Sequence, residues 1–256
     1  MTIQHARGVL VTTGIPGQFL LGGASPCALF CGVYSQESAR SRREVRGSRT
    51  AVIVPTMSTS IRAVELHTPR LLLRPLQLSD APQTQLLFPH WEIVKHLNAI
   101  VPWPFPADGV ITHYRETTFP AIERGEEWHW TLRLRESPEQ HIGAISLCAG
   151  ESNNRGFWLG LPWHRQGLMT EAVIAVNDFW FDVLGFPVLR APKAVANLGS
   201  RRISEKTGMR MVATEERNYV SGRLPSEVWE ITAEEWHKAR ALLEAGALPN
   251  PPKPQP

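Results

Sequence analysis

The sequence predicts a mixed α/β (α+β) domain, built round a mainly antiparallel seven-stranded sheet flanked by helices. Three observations carry this expectation. Apolar runs at 128–135 and 142–149 flank the turn Glu136-Ser137-Pro138-Glu139, and a third follows at 156–161, so three strands joined by short turns form an antiparallel meander. The meander delivers the chain to a helix over 168–184, where Leu168, Ala172, Ala175, Val176, Phe179 and Val183 recur at helical spacing before Gly185 supplies the stop. Strand and helix patterns then alternate to the end of the core.

The elements follow in order. Leu71, Leu72 and Leu73 lie between Arg70 and Arg74 and read as a strand, with Ser79-Asp80 as the next helix start. The helical region 80–98 is interrupted at Pro89 and closed by Pro102, Pro104 and Pro106, which suggests two short helices. A helix over 108–124 stops at Gly125, and the meander and its long helix follow. Beyond them come a strand at 188–195, a helix at 198–207 closed by Gly208, and a strand at 209–214. Ser221-Gly222 marks a hairpin turn, 227–232 returns as the last strand, and 234–245 is a terminal helix. No internal repeat is present.

Composition divides the chain. All nine Trp fall between Trp91 and Trp236, whereas residues 1–56 hold none and carry six Arg against Glu37 and Glu44. That extension has a net charge of +4 in a chain of +3, so the remainder is at −1 and the basic character belongs to the extension. A nucleic-acid surface on the core is therefore not expected, since it needs clustered cations on one face. Residues 1–56 read as a disordered or non-native extension, with Met57 as the start of the domain, and the Ser/Arg-rich stretch 35–50 also fits a targeting segment. The domain spans 57–247, and 248–256 is a frayed proline-rich tail. No apolar run reaches 18 residues, so no membrane span is expected. Cys27, Cys31 and Cys148 make neither a disulfide framework nor a metal site, and Cys148 reads as a small buried hydrophobe in a cytoplasmic protein.

The stretch WLGLPWHRQGLMTEA, from Trp158 to Ala172, is a strand, a glycine-centred turn and a helix start. The first N–H groups of a helix have no intrahelical partners and, with the helix dipole, form an anion site. Lacking a Cβ, Gly167 lets the backbone of Gln166, Gly167, Leu168, Met169 and Thr170 approach a phosphate.

Three stretches, TPRLLLRPLQLSDA at 68–81, GFWLGLPWHRQGLMTEA at 156–172 and NLGSRRISEKTGM at 197–209, stand in the order found in one family. The region 68–243 resembles the GNAT superfamily of N-acetyltransferases, and most closely its branch of bacterial ribosomal-protein N-terminal acetyltransferases. The turn departs from the usual pattern at His164 and Met169, which implies slightly different diphosphate contacts without loss of binding.

The resemblance implies acetyl-CoA as cosubstrate and no metal. Its diphosphate would sit on the N–H groups of residues 166–170 with Arg165 adding a charge, and its pantetheine arm would pair with Leu159, Gly160 and Leu161 on a strand splayed from its neighbour. Asn197 would bond the arm as well as cap its helix, and Ser200 would meet the departing thiolate, with Tyr219 as the rival acid. For the base that deprotonates the acceptor, Glu216 is chosen over Glu215, because successive strand side chains face opposite ways. Trp91, Trp103, Phe105 and Trp128 line an acceptor pocket or belong to the core.

The acceptor implied is a primary amine, either a protein N-terminus or a small-molecule amine. An α-amine of pKa ~7.8 is roughly 14% neutral at pH 7 against about 0.04% for lysine, so it asks less of a weak base. A monomer or homodimer is expected, without nucleic-acid or membrane partners. The alternative is a non-catalytic acyl-CoA-binding or interaction module of the same fold.

Overall fold

A computed structural model describes residues 63–246. The readings for residues 1–56, Met57, Cys27, Cys31 and the proline-rich tail fall outside the described residues. The chain runs β1 (Leu66–His67), β2 (Leu71–Pro75), α1 (Ala81–Leu87), α2 (Trp91–Val94), α3 (Gly109–His113), α4 (Phe119–Arg124), β3 (Glu127–Leu134), β4 (Ser137–Cys148) and β5 (Arg155–Leu159). It continues with α5 (Leu168–Asp178), β6 (Val188–Ala194), α6 (Leu198–Lys206), β7 (Arg210–Tyr219), β8 (Gly222–Thr232) and α7 (Ala233–Glu244).

The expected single seven-stranded sheet is corrected in two ways. A short β1 adds an eighth described strand, and the strands bond as two antiparallel sheets, ordered β1-β2-β3-β4-β5 and β6-β8-β7. The break falls between β5 and β6. They touch near their starts, where Asn154 N donates to Arg190 O and Arg190 N to Asn154 Oδ1, both at 2.7 Å, and no strand ladder joins them further on. The result is a V that opens toward the C-terminal ends of both strands.

Trp128, Trp130 and Leu132 of β3 alternate onto one face and pack with Leu168, Ala172, Val173, Val176 and Phe179, so α5 closes the main core. The intervening Glu127, His129, Thr131 and Arg133 are also buried, on the opposite face. There Arg133, 2% exposed, donates from Nη2 to Asp80 Oδ1 at 2.7 Å, while Asp80 also takes Arg74 Nη2 at 3.0 Å and Gln77 N at 2.9 Å. Arg133 Nη1 reaches the carbonyls of Pro138 and Glu139, each at 2.8 Å. These bonds and the pairing of Leu134 with Ser137 draw the supposed turn 136–139 into β4.

The long helix is α over 168–178 and continues as a π turn, Phe179–Val183, before Gly185 at φ 70°. The segment 109–124 is likewise helical with a π turn at its centre, Tyr114–Thr118, and ends at Gly125 in the left-handed conformation. Cys148 is buried, as expected of a small apolar side chain.

Candidate active site

At the C-terminal end of β5 the chain turns through residues 160–167 into α5. Arg165 at φ 63° and Gly167 at φ 77° are both left-handed, a pairing that turns successive N–H groups to one side. Among the described residues the backbone N–H groups of 165 through 170 donate no hydrogen bond, leaving six consecutive donors ahead of a helix with its positive dipole end toward them. Arg165 forms no ion pair among the described residues, so its guanidinium is open to an anion.

A staple that the sequence reading missed holds this turn. Arg70 donates through Nη1 to Gln166 O at 2.9 Å, through Nε to Glu171 Oε2 at 2.7 Å and through its backbone N to Glu171 Oε1 at 2.8 Å. Thr68 Oγ1 donates to the same Oε1 at 2.5 Å. Burial raises the Glu171 pKa, but the bonds from Thr68 and Arg70 outweigh it and leave the carboxyl below its usual range. His164 stands away from the donors: its Nε2 donates to Leu159 O at 2.8 Å and ties the turn to β5.

The bonds Gly160 N to Ile142 O and Cys148 N to Asn154 O set the phase of the β4–β5 ladder. Alternation then points the backbone groups of Arg155, Phe157 and Leu159 into the V and those of Gly156 and Trp158 toward β4. This separates the three residues expected to meet a pantetheine arm. Leu159 keeps its N–H toward the V; Gly160 spends its N–H on Ile142 O and its C=O on Trp163 N, and Leu161 O accepts from His164 N. The β4–β5 ladder runs without a register shift to Leu159. The glycine answers to packing, because a Cβ there would lie 2.7 Å from the Trp163 ring.

The V continues into a cleft whose enclosed part measures about 90 Å³, lined from β5 and β6 by Arg155, Gly156, Phe157 and Lys193. Asn197 and Ser200 line it from the start of α6, and Tyr219 and Arg217 from β7. Four of the sequence-chosen residues thus fall into two places, Asn197, Ser200 and Tyr219 in the cleft and Gly167 at the mouth of the V. Asn197 caps α6, its Oδ1 accepting from Ser200 N at 3.2 Å, which leaves its amide Nδ2 available. The Ser200 hydroxyl has no hydrogen-bond partner among the described residues. Tyr219 OH lies 2.7 Å from Ser226 Oγ, and Ser226 in turn donates to Lys193 O at 3.1 Å. With that proton committed, the Tyr219 hydroxyl is the donor to Ser226. Burial raises the Tyr219 pKa.

Glu216 is corrected. It is exposed, its carboxylate 3.6 Å from Arg223 Nε, and it does not line the cleft. Glu215 shares the face of β7 with Arg217 and Tyr219, because Glu215 pairs with Ser226, whose side chain meets Tyr219. Its carboxylate is held 2.5 Å from Arg217 Nε, and it too is absent from the lining. Among the described residues, those lining the cleft include no Asp or Glu. Lys193, 5% exposed, donates to Ala191 O at 2.8 Å; burial above all, and Arg155 beside it, hold its pKa well below the usual lysine range against the pull of Glu227.

The four aromatics separate as well. Trp128 is core, Phe105 packs edge-on against Phe88 with centroids 5.3 Å apart, and Trp91 and Trp103 are exposed as a pair 5.6 Å apart. A second groove of about 480 Å³ runs beside Gly167, Thr170 and Ile174 of α5, with Lys206 and Arg240 on its walls. No described helix is long and apolar enough to cross a membrane.

Comparison with known proteins agrees with this geometry. Residues 70–210 match the family model described as an acetyltransferase (GNAT) domain. The chain is 32% identical over 126 residues to a Bacillus subtilis (strain 168) protein named "Probable N-acetyltransferase YjcK"; the match covers 47% of this chain and 64% of that protein, less than two-thirds of the relative's length. Among solved structures, the fold is similar to that of RimL, a ribosomal L7/L12 α-N-protein acetyltransferase in complex with coenzyme A, at 15% identity and a TM-score of 0.57, covering 66% of this chain and 98% of that one. It is also similar to a GCN5-related N-acetyltransferase from Brucella melitensis, at 14% identity and a TM-score of 0.56 over 73% of this chain and 86% of that one.

Proposed function

Because the chain belongs to the GNAT acetyltransferase family, we propose that it moves an acetyl group from acetyl-CoA directly to a primary amine. The observation that carries this reading is the run of six open N–H groups at 165–170, in the turn between β5 and α5. That set fits a diphosphate: donors only, a left-handed glycine without a Cβ, and no carboxylate lining the cleft beyond. The backbone N–H of Leu159 and the peptide groups of Phe157 suit an extended amide-bearing arm. Asn197 Nδ2 adds a donor above it. The groove beside α5 would take the nucleotide end, its apolar Ile174 and Ala175 under the base and Lys206 near a phosphate.

Bound acetyl-CoA supplies the activated acyl group: the amine nitrogen forms the new N–C bond as the C–S bond breaks. Ser200 is the residue placed to hydrogen-bond the sulfur, and little acidity is required of it, because a thiol of pKa ~8.5 leaves readily near neutral pH. The ammonium proton of the acceptor has to go elsewhere. An α-amine, as at a protein N-terminus, gives that proton up most easily, and we take it as the favoured acceptor class.

The test is release of CoA thiol from acetyl-CoA across a panel of α-amino peptides, polyamines, aminoglycosides and amino acids. Release with at least one amine, accompanied by the acetylated product, supports transfer. Cofactor binding with no release to any amine identifies an acyl-CoA-binding module instead.

A further inference from the structure

The cleft lacks a carboxylate, yet an ammonium acceptor has to lose a proton there. Of the side chains lining it, His96, Lys193, Arg155, Arg217 and Tyr219 are titratable. Arginine does not give up its proton in proteins, and the Tyr219 hydroxyl is spent on Ser226. Lys193 is buried with its nitrogen on Ala191 O. His96 is half-buried, and neither of its ring nitrogens makes a hydrogen bond among the described residues.

The placement of His96 is fixed from outside its own helical turn. Residues 95–99 lie along the tip of the β7–β8 hairpin: Ala99 N donates to Asn218 O at 3.1 Å, Val220 N to Leu97 O at 3.0 Å and Ser221 N to Lys95 O at 3.1 Å, with an isolated bridge between Asn98 and Tyr219. The Ser221 hydroxyl adds a 2.7 Å bond to Lys95 O. His96 is therefore held by the hairpin in the lining of the cleft that Asn197 and Ser200 also line.

Resting on the acetyl-transfer reading, we infer that His96 is the proton acceptor for the attacking amine: one imidazole nitrogen takes the ammonium proton, the amine nitrogen bonds to the acyl carbon, and the sulfur departs toward Ser200. Burial first, then the neighbouring Lys95, lower the His96 pKa against a smaller opposing pull from Glu92. Arg155, Lys193 and Arg217 line the same cleft. The Arg155 charge opposes an ammonium ion in the cleft and so favours release of its proton, which lets a base as weak as imidazole suffice.

The experiment uses the full chain, acetyl-CoA and the best amine found in the release assay, compared with its aminooxy analogue, whose nitrogen is already neutral at pH 7. For His96→Ala we expect kcat/KM to fall by roughly 100-fold or more with the amine, to recover in part when imidazole is added, and to change little with the aminooxy analogue. His96→Gln gives the same contrast with less change in packing. Equal losses with both acceptors make His96 a structural residue and overturn the inference; so does full activity in either variant. Wild-type protein that acetylates no amine removes the transfer reading and this inference with it.

Discussion

Gly167→Ala probes the anion seat, and Gly185→Ala supplies its control. Both glycines are left-handed, at φ 77° and 70°. A Cβ at Gly185 meets nothing within 4 Å, and at Gly167 only Arg70 Nη2 at 3.5 Å, an ordinary contact, so neither change creates a clash. Each alanine pays the same conformational cost, about 1–2 kcal/mol, or about 2–4 °C in Tm per kcal/mol for a domain of this size. The difference lies in what the strain displaces. Arg165 already holds a left-handed conformation two residues away, so a second strained residue is relieved by rotation of the 165–167 peptides, which turns donors away from the seat. Loss of one charge-assisted hydrogen bond of about 1.5–3 kcal/mol weakens CoA binding by roughly 10- to 150-fold. We expect both variants to lose similar stability in thermal melts, and only Gly167→Ala to lose CoA affinity in calorimetry. Equal affinity in the two variants would refute the seat.

Three further outcomes are expected. Asp80→Ala leaves the buried Arg133 without its carboxylate and should cost about 3–5 kcal/mol, read as a lower urea midpoint; an unchanged midpoint contradicts the network. Glu171 has a folded-state pKa below its unfolded one, so its contribution is present above pH ~4.3 and fades as pH falls through the folded value. Urea titrations of Glu171→Gln should accordingly show a deficit at pH 7 that closes in acid, whereas a deficit independent of pH assigns the effect to packing. Ser200→Ala should lower kcat for CoA release about 10-fold or more with CoA affinity retained, while Tyr219→Phe costs about 1 kcal/mol of stability and under threefold in kcat; the reverse order returns the acid role to Tyr219.

The order of elements was legible because it depends on local patterns. Gly125, Gly167, Gly185 and Gly208 each mark a left-handed residue at a helix end, a demand that one residue type meets best. The pairing of distant segments was not legible. Arg70 and Glu171 are 101 residues apart, and nothing in either neighbourhood announces the other. His96 sits in the turn after α2 and becomes a cleft residue only because 95–99 docks on a hairpin more than a hundred residues later. Glu215 and Glu216 were weighed as the end of a strand, whereas β7 runs on to Tyr219, and neither glutamate is among the residues lining the cleft. Gly160 was expected to pair with a pantetheine arm, whereas its N–H goes to Ile142 O and its C=O accepts from Trp163 N.

The claim on which the rest depends is that the six N–H groups at 165–170 receive the diphosphate of acetyl-CoA. Amide-resolved NMR of the isotope-labelled protein, titrated with CoA, reads those groups one by one. The account predicts the largest amide proton shifts within 165–170, with smaller ones at Phe157, Leu159 and Asn197. Saturable binding that leaves 165–170 unshifted would contradict it.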